Sequence, residues 1–354
     1  MTTHRKAPLT SATPISGKGV WISDELGSVA ATDGRAVGVL GWGSYVPSGV
    51  ITNADLEALV DTNDDWIVSR TGIRERRQVA IDETAIDLGE MAGRRALAHA
   101  KLTAVDVVIV ASSSTLAVMP SAACQIQERL GLTGAAALDL NAACSGFVYA
   151  LTVAESLVRA GSARTVLIVA TEAMTKLVNY HDRATCVLFG DGAGAMVVGS
   201  GPGTGSVDAV AWGADGREGS LIRYVGPLDT EEPGMRMEGK GTYRRAVERL
   251  CLVIERLCAS AGWELSDVDT FIPHQANLRI LEAAAQRLGV DLASVVVNVD
   301  RFGNTGGASI PLAIADAASR GILKPGAKVV CVAFGAGSTW GGAAFTWPEK
   351  GSSA

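Results

Sequence analysis

Short apolar runs alternate with helical periodicity along most of this chain. Residues 36–41 (Ala-Val-Gly-Val-Leu-Gly) predict a strand, followed by a turn at Tyr45-Val46-Pro47-Ser48. Residues 53–60 predict a short helix with Asn53 as its N-cap. Residues 85–100 carry an amphipathic pattern, 106–110 a strand and 121–130 a further helix. The run 135–140 reads as a buried strand. The stretch after it places Val148, Leu151, Ala154 and Val158 at helical spacing. Residues 164–170 predict a strand, 171–188 an inserted loop region, and 190–199 a Gly-rich strand. Between the strand at 135–140 and the helix from Val148 lies Asn141-Ala142-Ala143-Cys144-Ser145-Gly146-Phe147, a corner of small residues around one thiol.

The second half repeats this order. Leu102-Thr-Ala-Val-Asp106 matches Leu265-Ser-Asp-Val-Asp269, Arg129-Leu-Gly131 matches Arg287-Leu-Gly289, and Thr165–Ala170 matches Lys328–Ala333. Such consistent spacing predicts a duplicated αβ unit rather than two unrelated domains. At an offset of 160, Cys144 falls opposite Asn304, at an equivalent strand-to-helix turn. His274 ends the apolar run Thr270-Phe271-Ile272-Pro273 and precedes a helix expected over 276–288. A pseudo-twofold axis then brings Cys144, His274 and Asn304 toward one cleft.

The chain has 354 residues, 48% hydrophobic and 19% charged, with a net charge of −6. That balance argues against a global nucleic-acid-binding surface. No apolar run reaches the ~18 residues of a membrane span. Residues 1–35, rich in Ser, Thr, Gly and Ala, read as a mobile or lightly packed extension without a targeting signature. The six cysteines form no CxxC pair, which makes a reducing cytoplasm the simplest compartment. Cys251 and Cys258 share an apolar helix face, and Cys186 and Cys331 lie in strand-like runs. Cys124, at a helix start, is a weaker rival to Cys144. The four histidines are scattered, so a metal site is not expected.

A thiol at the positive end of a helix dipole is expected to favour thiolate. A Cys, a His and an Asn around one cleft permit covalent acyl transfer. A hydrolase uses the Asn to orient the His, whereas a condensing enzyme uses both side chains as donors to a thioester carbonyl. The residue pattern alone does not separate the two. Trp66 and Arg70, four apart on one helical face, offer stacking and charge to a nucleotide-bearing ligand. On spacing alone the simpler account is a solvated basic face beside a core Trp.

Asn141–Phe147, Pro273-His274-Gln-Ala-Asn277-Leu-Arg279-Ile280 and Asp300-Arg301-Phe-Gly303-Asn304-Thr305 resemble the three active-site motifs of β-ketoacyl-acyl carrier protein synthase III. Asp65-Trp66-Ile67, Arg70–Arg74, Pro120–Gln125 and Phe189–Gly194 also match, in family order, so the resemblance runs from about 36 to 348. It implies a homodimeric thiolase fold: two αβ halves, 36–203 and 204–354, in a five-layered α-β-α-β-α arrangement. It also implies decarboxylative condensation of an acyl-CoA with malonyl-acyl carrier protein, with no cofactor, starting fatty-acid or polyketide chains. Cys144 is then the nucleophile, His274 and Asn304 promote decarboxylation, and the backbone of Cys144 and Ala336 forms the oxyanion hole. The resemblance assigns Thr62, Trp66, Arg70, Arg183 and Asn277 to CoA, which reverses the simpler account of Trp66. It assigns Met119, Phe189 and Phe334 to the acyl pocket, and Arg244, Arg245, Arg249 and Arg279 to carrier-protein docking.

Three positions depart from the family pattern. Ala336 replaces a common middle glycine but keeps its backbone N–H. Met119 stands where a phenylalanine often narrows the acyl pocket across the dimer interface, which predicts primers larger than acetyl. Thr305-Gly306-Gly307 replaces the commoner Thr-Ser-Ala, which loosens the helix start. Two other readings remain at this stage: an acyltransferase of the same fold acting on an alcohol or amine, and a catalytically silent carrier-protein binding module.

Overall fold

The computed structural model describes residues 21–24, 27–31, 36–115, 118–226 and 229–349. In the first half, strands β1 (Trp21–Asp24) and β2 (Gly27–Ala31) precede β3 (Gly38–Tyr45), β4 (Gly49–Thr52), helix α1 (Asn53–Glu57), α2 (Asp64–Thr71) and β5 (Glu75–Gln78). Then come α3 (Ala85–Ala100), β6 (Val107–Ala111), α4 (Ala122–Arg129), β7 (Ala136–Leu140) and α5 (Gly146–Arg159). β8 (Thr165–Ala173), α6 (Arg183–Cys186) and β9 (Asp191–Gly199) complete it. The second half holds β10 (Ser206–Ala214), the hairpin β11 (Ile222–Val225) and β12 (Gly234–Met237), and α7 (Gly239–Ala261). β13 (Thr270–Pro273), α8 (Leu278–Leu288), α9 (Val299–Phe302), α10 (Ser309–Ser319), β14 (Lys328–Gly335) and β15 (Thr339–Thr346) follow.

Two large sheets result among the described residues, ordered β3-β9-β8-β6-β7 and β1-β2-β10-β15-β14-β13, beside the two-stranded pairs β4-β5 and β11-β12. β6 runs parallel to β7 and β8, and β13 parallel to β14, while β9 and β15 are antiparallel to β8 and β14. α5 and α10 are buried on nearly every side, as helices enclosed between sheets must be. α3 and α4 cover the outer face of the first sheet, and α7 covers that of the second, with α8 packed against it. The five layers expected from the sequence are therefore present. Cys251 and Cys258 are buried on α7, as their spacing predicted.

The structure corrects several details. Residues 21–24 and 27–31 of the extension read as mobile are paired strands, with β2 hydrogen-bonded to β10. Residues 1–20, 25–26 and 32–35 lie outside the described residues. The N-cap of α1 is Thr52, in a capping box with Asp55; buried Asn53 instead bonds Asp64, Ile73 and Arg76. α8 starts at Leu278, with Asn277 as N-cap. β8 continues through Glu172 to Ala173, three residues into the region read as a loop, and Cys186 closes a short helix rather than a strand.

The largest correction concerns the repeat. A 3₁₀ turn over Ala143–Ser145 leads straight into α5, and one over Gly306–Ala308 leads straight into α10. In each, an Asn side-chain oxygen accepts the amide two residues on: Asn141 from Ala143 at 3.1 Å and Asn304 from Gly306 at 2.9 Å. The structural equivalent of Asn304 is thus Asn141, and that of Cys144 is Gly307. The turns do correspond, but the register is three residues longer than the offset of 160.

Candidate active site

The Cys144 corner is built by small residues under backbone constraint. Ala143 holds φ at 49°, a left-handed conformation that non-glycine residues rarely adopt. Gly335 lies so close behind that a Cβ on it would sit 2.8 Å from the Cys144 nitrogen. α5 starts directly after this corner, with Ser145 as an N-cap that makes no side-chain capping bond. His274 ends β13 with its amide bonded to Val332 O at 2.8 Å. Its Nδ1 lies 2.5 Å from Ser309 Oγ, on the first turn of α10. Ser309 Oγ also accepts from the Gln275 amide at 3.3 Å; with its own proton given to Nδ1, the neutral ring carries its hydrogen on Nε2, toward the cavity. Asn304 Oδ1 is held by the Gly306 amide, so its NH₂ is the group left to offer.

Cys144, His274 and Asn304 all line one cavity of about 830 Å³. Trp66, Arg70, Phe189, Asn277, Arg279, Phe334 and Ala336 line it as well. Phe189 bridges to Asn304 through backbone pairing, which ties this wall of the cavity to the turn that carries Asn304. Arg183 does not line the cavity but lies over the Trp66 ring at 4.1 Å. Thr62 carries a buried hydroxyl without a partner. The Asn277 amide is already engaged at both ends, donating to Arg70 O at 3.0 Å and accepting from the Arg279 amide at 2.9 Å.

The remaining expected residues lie elsewhere. Met119 is 85% exposed and outside the cavity of its own chain. Arg244 and Arg279 are exposed, whereas Arg245 pairs with Glu218 and Glu248 and Arg249 packs over Trp340. Cys124 is exposed and outside the cavity.

Electrostatics reverse one expectation. Burial, with Glu172 nearby, pushes the Cys144 thiol up to about 12 against the lowering effect of a hydrogen bond from its own backbone amide. Cys144 therefore rests as a thiol rather than a thiolate. Burial lowers His274 to about 4, so its imidazole is neutral and serves as a hydrogen-bond donor rather than a cation. Two neutral donors beside a thiol suit a reaction in which negative charge appears on a thioester oxygen and then leaves.

Residues 138–216 match the family description 3-oxoacyl-[acyl-carrier-protein] synthase III, and residues 258–347 its C-terminal part. The β-ketoacyl-[acyl-carrier-protein] synthase III of Oleidesulfovibrio alaskensis is 45% identical over 318 residues, covering 86% of this chain and 96% of the relative. The chain belongs to the β-ketoacyl-acyl carrier protein synthase III family. Its counterpart in Clostridium acetobutylicum is 41% identical, covering 89% of this chain and all of the relative. The solved synthase III of Aquifex aeolicus superposes with a TM-score of 0.85 at 38% identity, covering 88% of this chain and 100% of that one. The priming β-ketosynthase of the R1128 polyketide pathway superposes at 0.84 and 37% identity, covering 89% and 97%. The fold is accordingly the thiolase fold, and this synthase III is an acyltransferase of the condensing type.

Sequence reasoning missed two residues of the site. Ser309 carried no motif signal, since its partner His274 is 35 residues away. Glu172 fell in the stretch read as a loop, although a lone acid in Ile-Val-Ala-Thr-Glu-Ala-Met was a signal for a buried carboxyl.

Proposed function

We propose that this synthase III loads an acyl group from acyl-CoA onto Cys144 and condenses it with malonyl-acyl carrier protein. The observation that carries the reading is the convergence of Cys144, His274 and Asn304 on one cavity. In the first half-reaction the sulfur attacks the thioester carbonyl, the C–S bond to CoA breaks, and the thiol proton leaves with CoA. In the second, malonyl loses carbon dioxide, and the electron pair of the broken C–C bond becomes an enolate. Nε2–H of His274 and the Asn304 NH₂ hold the enolate oxygen. The enolate carbon attacks the acyl-Cys144 carbonyl, the C–S bond breaks, Cys144 leaves as thiolate and takes a proton from solvent to return to the thiol, and 3-oxoacyl-acyl carrier protein forms. The Cys144 and Ala336 amides are proposed to hold the tetrahedral oxyanion. No cofactor takes part in this scheme, and the product starts fatty-acid or polyketide chains.

The same reading gives CoA to Thr62, Trp66, Arg70, Arg183 and Asn277. Arg183 already stacks on Trp66, so an adenine entering between them takes over a cation–π contact. The unpartnered Thr62 hydroxyl supports a polar ligand there. Carrier-protein docking is best supported at the exposed Arg244 and Arg279. A homodimer is supported by β7, an open sheet edge, together with Val118 and Met119 at 90% and 85% exposure. In that dimer Met119 reaches the partner's acyl pocket. A cytoplasmic location fits the thiol chemistry, and no described helix is long and apolar enough to cross a membrane.

Intact-mass analysis with acetyl-, isobutyryl- and longer acyl-CoAs, followed by malonyl-acyl carrier protein, tests this reading. An adduct on Cys144 that malonyl-acyl carrier protein discharges as 3-oxoacyl product is expected. Cys144→Ser should lose loading, while His274→Ala and Asn304→Ala should load but fail to decarboxylate. Normal decarboxylation by Asn304→Ala would remove the enolate role given to Asn304, and a strict acetyl preference would remove the role given to Met119.

A further inference from the structure

Glu172 is 1% exposed, yet it belongs to the lining of the catalytic cavity. Among the described residues, no arginine or lysine is one of its hydrogen-bond partners, which are hydroxyls and backbone amides from both halves of the molecule. Ser114 Oγ donates at 2.5 Å and Ser112 Oγ at 3.3 Å. The Ser113 amide reaches both carboxylate oxygens at 3.1 and 3.2 Å, and the Gly307 amide reaches Oε1 at 3.3 Å. Ser113 Oγ in turn donates at 3.3 Å to Asn141 Oδ1, the atom that holds the Ala143 amide next to Cys144. One carboxylate thus links the nucleophile turn to the turn that presents Asn304.

The glycines around it are shaped to this carboxylate. A Cβ on Gly306 would stand 3.1–3.3 Å from three Glu172 atoms, and one on Gly307 would stand 3.3 Å from Oε1 and 3.1 Å from Ala143 O. The Gly306-Gly307 pair that departs from the family pattern is therefore the space this glutamate occupies.

We propose that Glu172 is a positioning residue of the condensation site, bracing the Gly306–Ala308 turn against the serine wall and setting a negative charge behind Cys144. Buried charge costs free energy unless something requires it. Cys144 and His274 are the buried titratable groups that share the inner cavity with it; Arg70, Arg223, Tyr224, Lys240 and Arg279 line the cavity but are exposed, and Tyr243 lines it half-buried. Asp191, on the neighbouring strand, is bound by Val79 and Thr175 instead. Burial raises Glu172 to about 7 against the lowering effect of its donors, so its charge is present in part at neutral pH.

The proposal rests on Cys144 being the nucleophile, and three proteins separate the questions: the unaltered chain, Glu172→Gln and Glu172→Asp. Each is assayed for acyl loading by intact mass, for iodoacetamide alkylation of Cys144 across pH 6–10, and for malonyl-acyl carrier protein decarboxylation. Gln removes the charge and keeps the length. Its alkylation profile is expected to move to lower pH, with about tenfold faster alkylation for each unit that the thiol falls. Asp keeps the charge but is one methylene short of Gly307. It should retain the alkylation profile and lose decarboxylation about tenfold, with loading intact. A role confined to stability would move neither readout. An unmoved profile in Gln, or full decarboxylation in Asp, overturns the proposal; should Gln not fold, the Asp arm still decides. Failure of the unaltered chain to load at Cys144 refutes the nucleophile assignment itself, a result distinct from either variant outcome.

Discussion

At the residue scale the site works through groups moved off their ordinary titration range by burial. Cys144 is pushed up to about 12 and His274 down to about 4, so thiol and neutral imidazole coexist at neutral pH. Below the thiol pKa, the thiolate fraction grows about tenfold per pH unit. Alkylation of Cys144 by iodoacetamide should therefore climb about tenfold per unit from pH 7 to 9 without a plateau; a plateau near pH 7 would mean a resting thiolate. Ser309 directs the His274 proton through a 2.5 Å contact to Nδ1. Ser309→Ala should lower malonyl decarboxylation about tenfold while acyl loading persists, because the Nε2–H tautomer loses its support. Equal loss of both half-reactions would instead point to a disturbed fold. The identities of Cys144 and His274 were legible from their place at strand ends. Their protonation states were not, because burial is a sum over neighbours distant in sequence.

At the element scale the two 3₁₀ turns are the working parts. Each is set by an Asn that binds the amide two residues on, and each feeds a helix enclosed between the sheets. Gly306 stands at φ 54° with Glu172 against its missing side chain. Gly306→Ala should cost about 1–3 kcal/mol through backbone strain and crowding, read as a lower Tm, and should slow decarboxylation more than loading. An unchanged Tm would show that the turn relaxes freely. The glycine pair was read in the sequence as a loosening of the helix start. In the structure it is close packing, since the carboxylate that fills the space comes from β8. A similar surprise is Arg76, one of a run of basic residues, which is fully buried. Its guanidinium binds Asn53 Oδ1 at 2.7 Å and Val187 O at 2.5 Å.

At the scale of the whole molecule, two αβ halves face each other across α5 and α10, and the cavity opens where their equivalent turns meet. β7 leaves one sheet edge open, and Leu138 on it is 38% exposed. Pairing of this edge with a second copy is the economical way to satisfy its amides. Gel filtration with light scattering should give a dimer, and Ala137→Pro, which removes a ladder donor in β7, should shift it toward monomer. A monomer in the unaltered chain would remove Met119 from the partner's pocket as well. The N-terminal hairpin closes β10, the edge of the other sheet that corresponds to β3 rather than to β7.

The fold class and the choice of Cys144, His274 and Asn304 as candidates came from the sequence itself, because a duplicated hydrophobic rhythm admits few layered packings and strand ends are where such folds place their chemistry. The family resemblance added the reaction. What only the tertiary structure decided is the register that matches Asn141 with Asn304, the resting thiol, and the carboxylate of Glu172 between the two turns. The register shows only in the local bonds of each folded turn, the thiol answers to its burial and to Glu172, and the carboxylate meets the second turn through Gly307, 135 positions away.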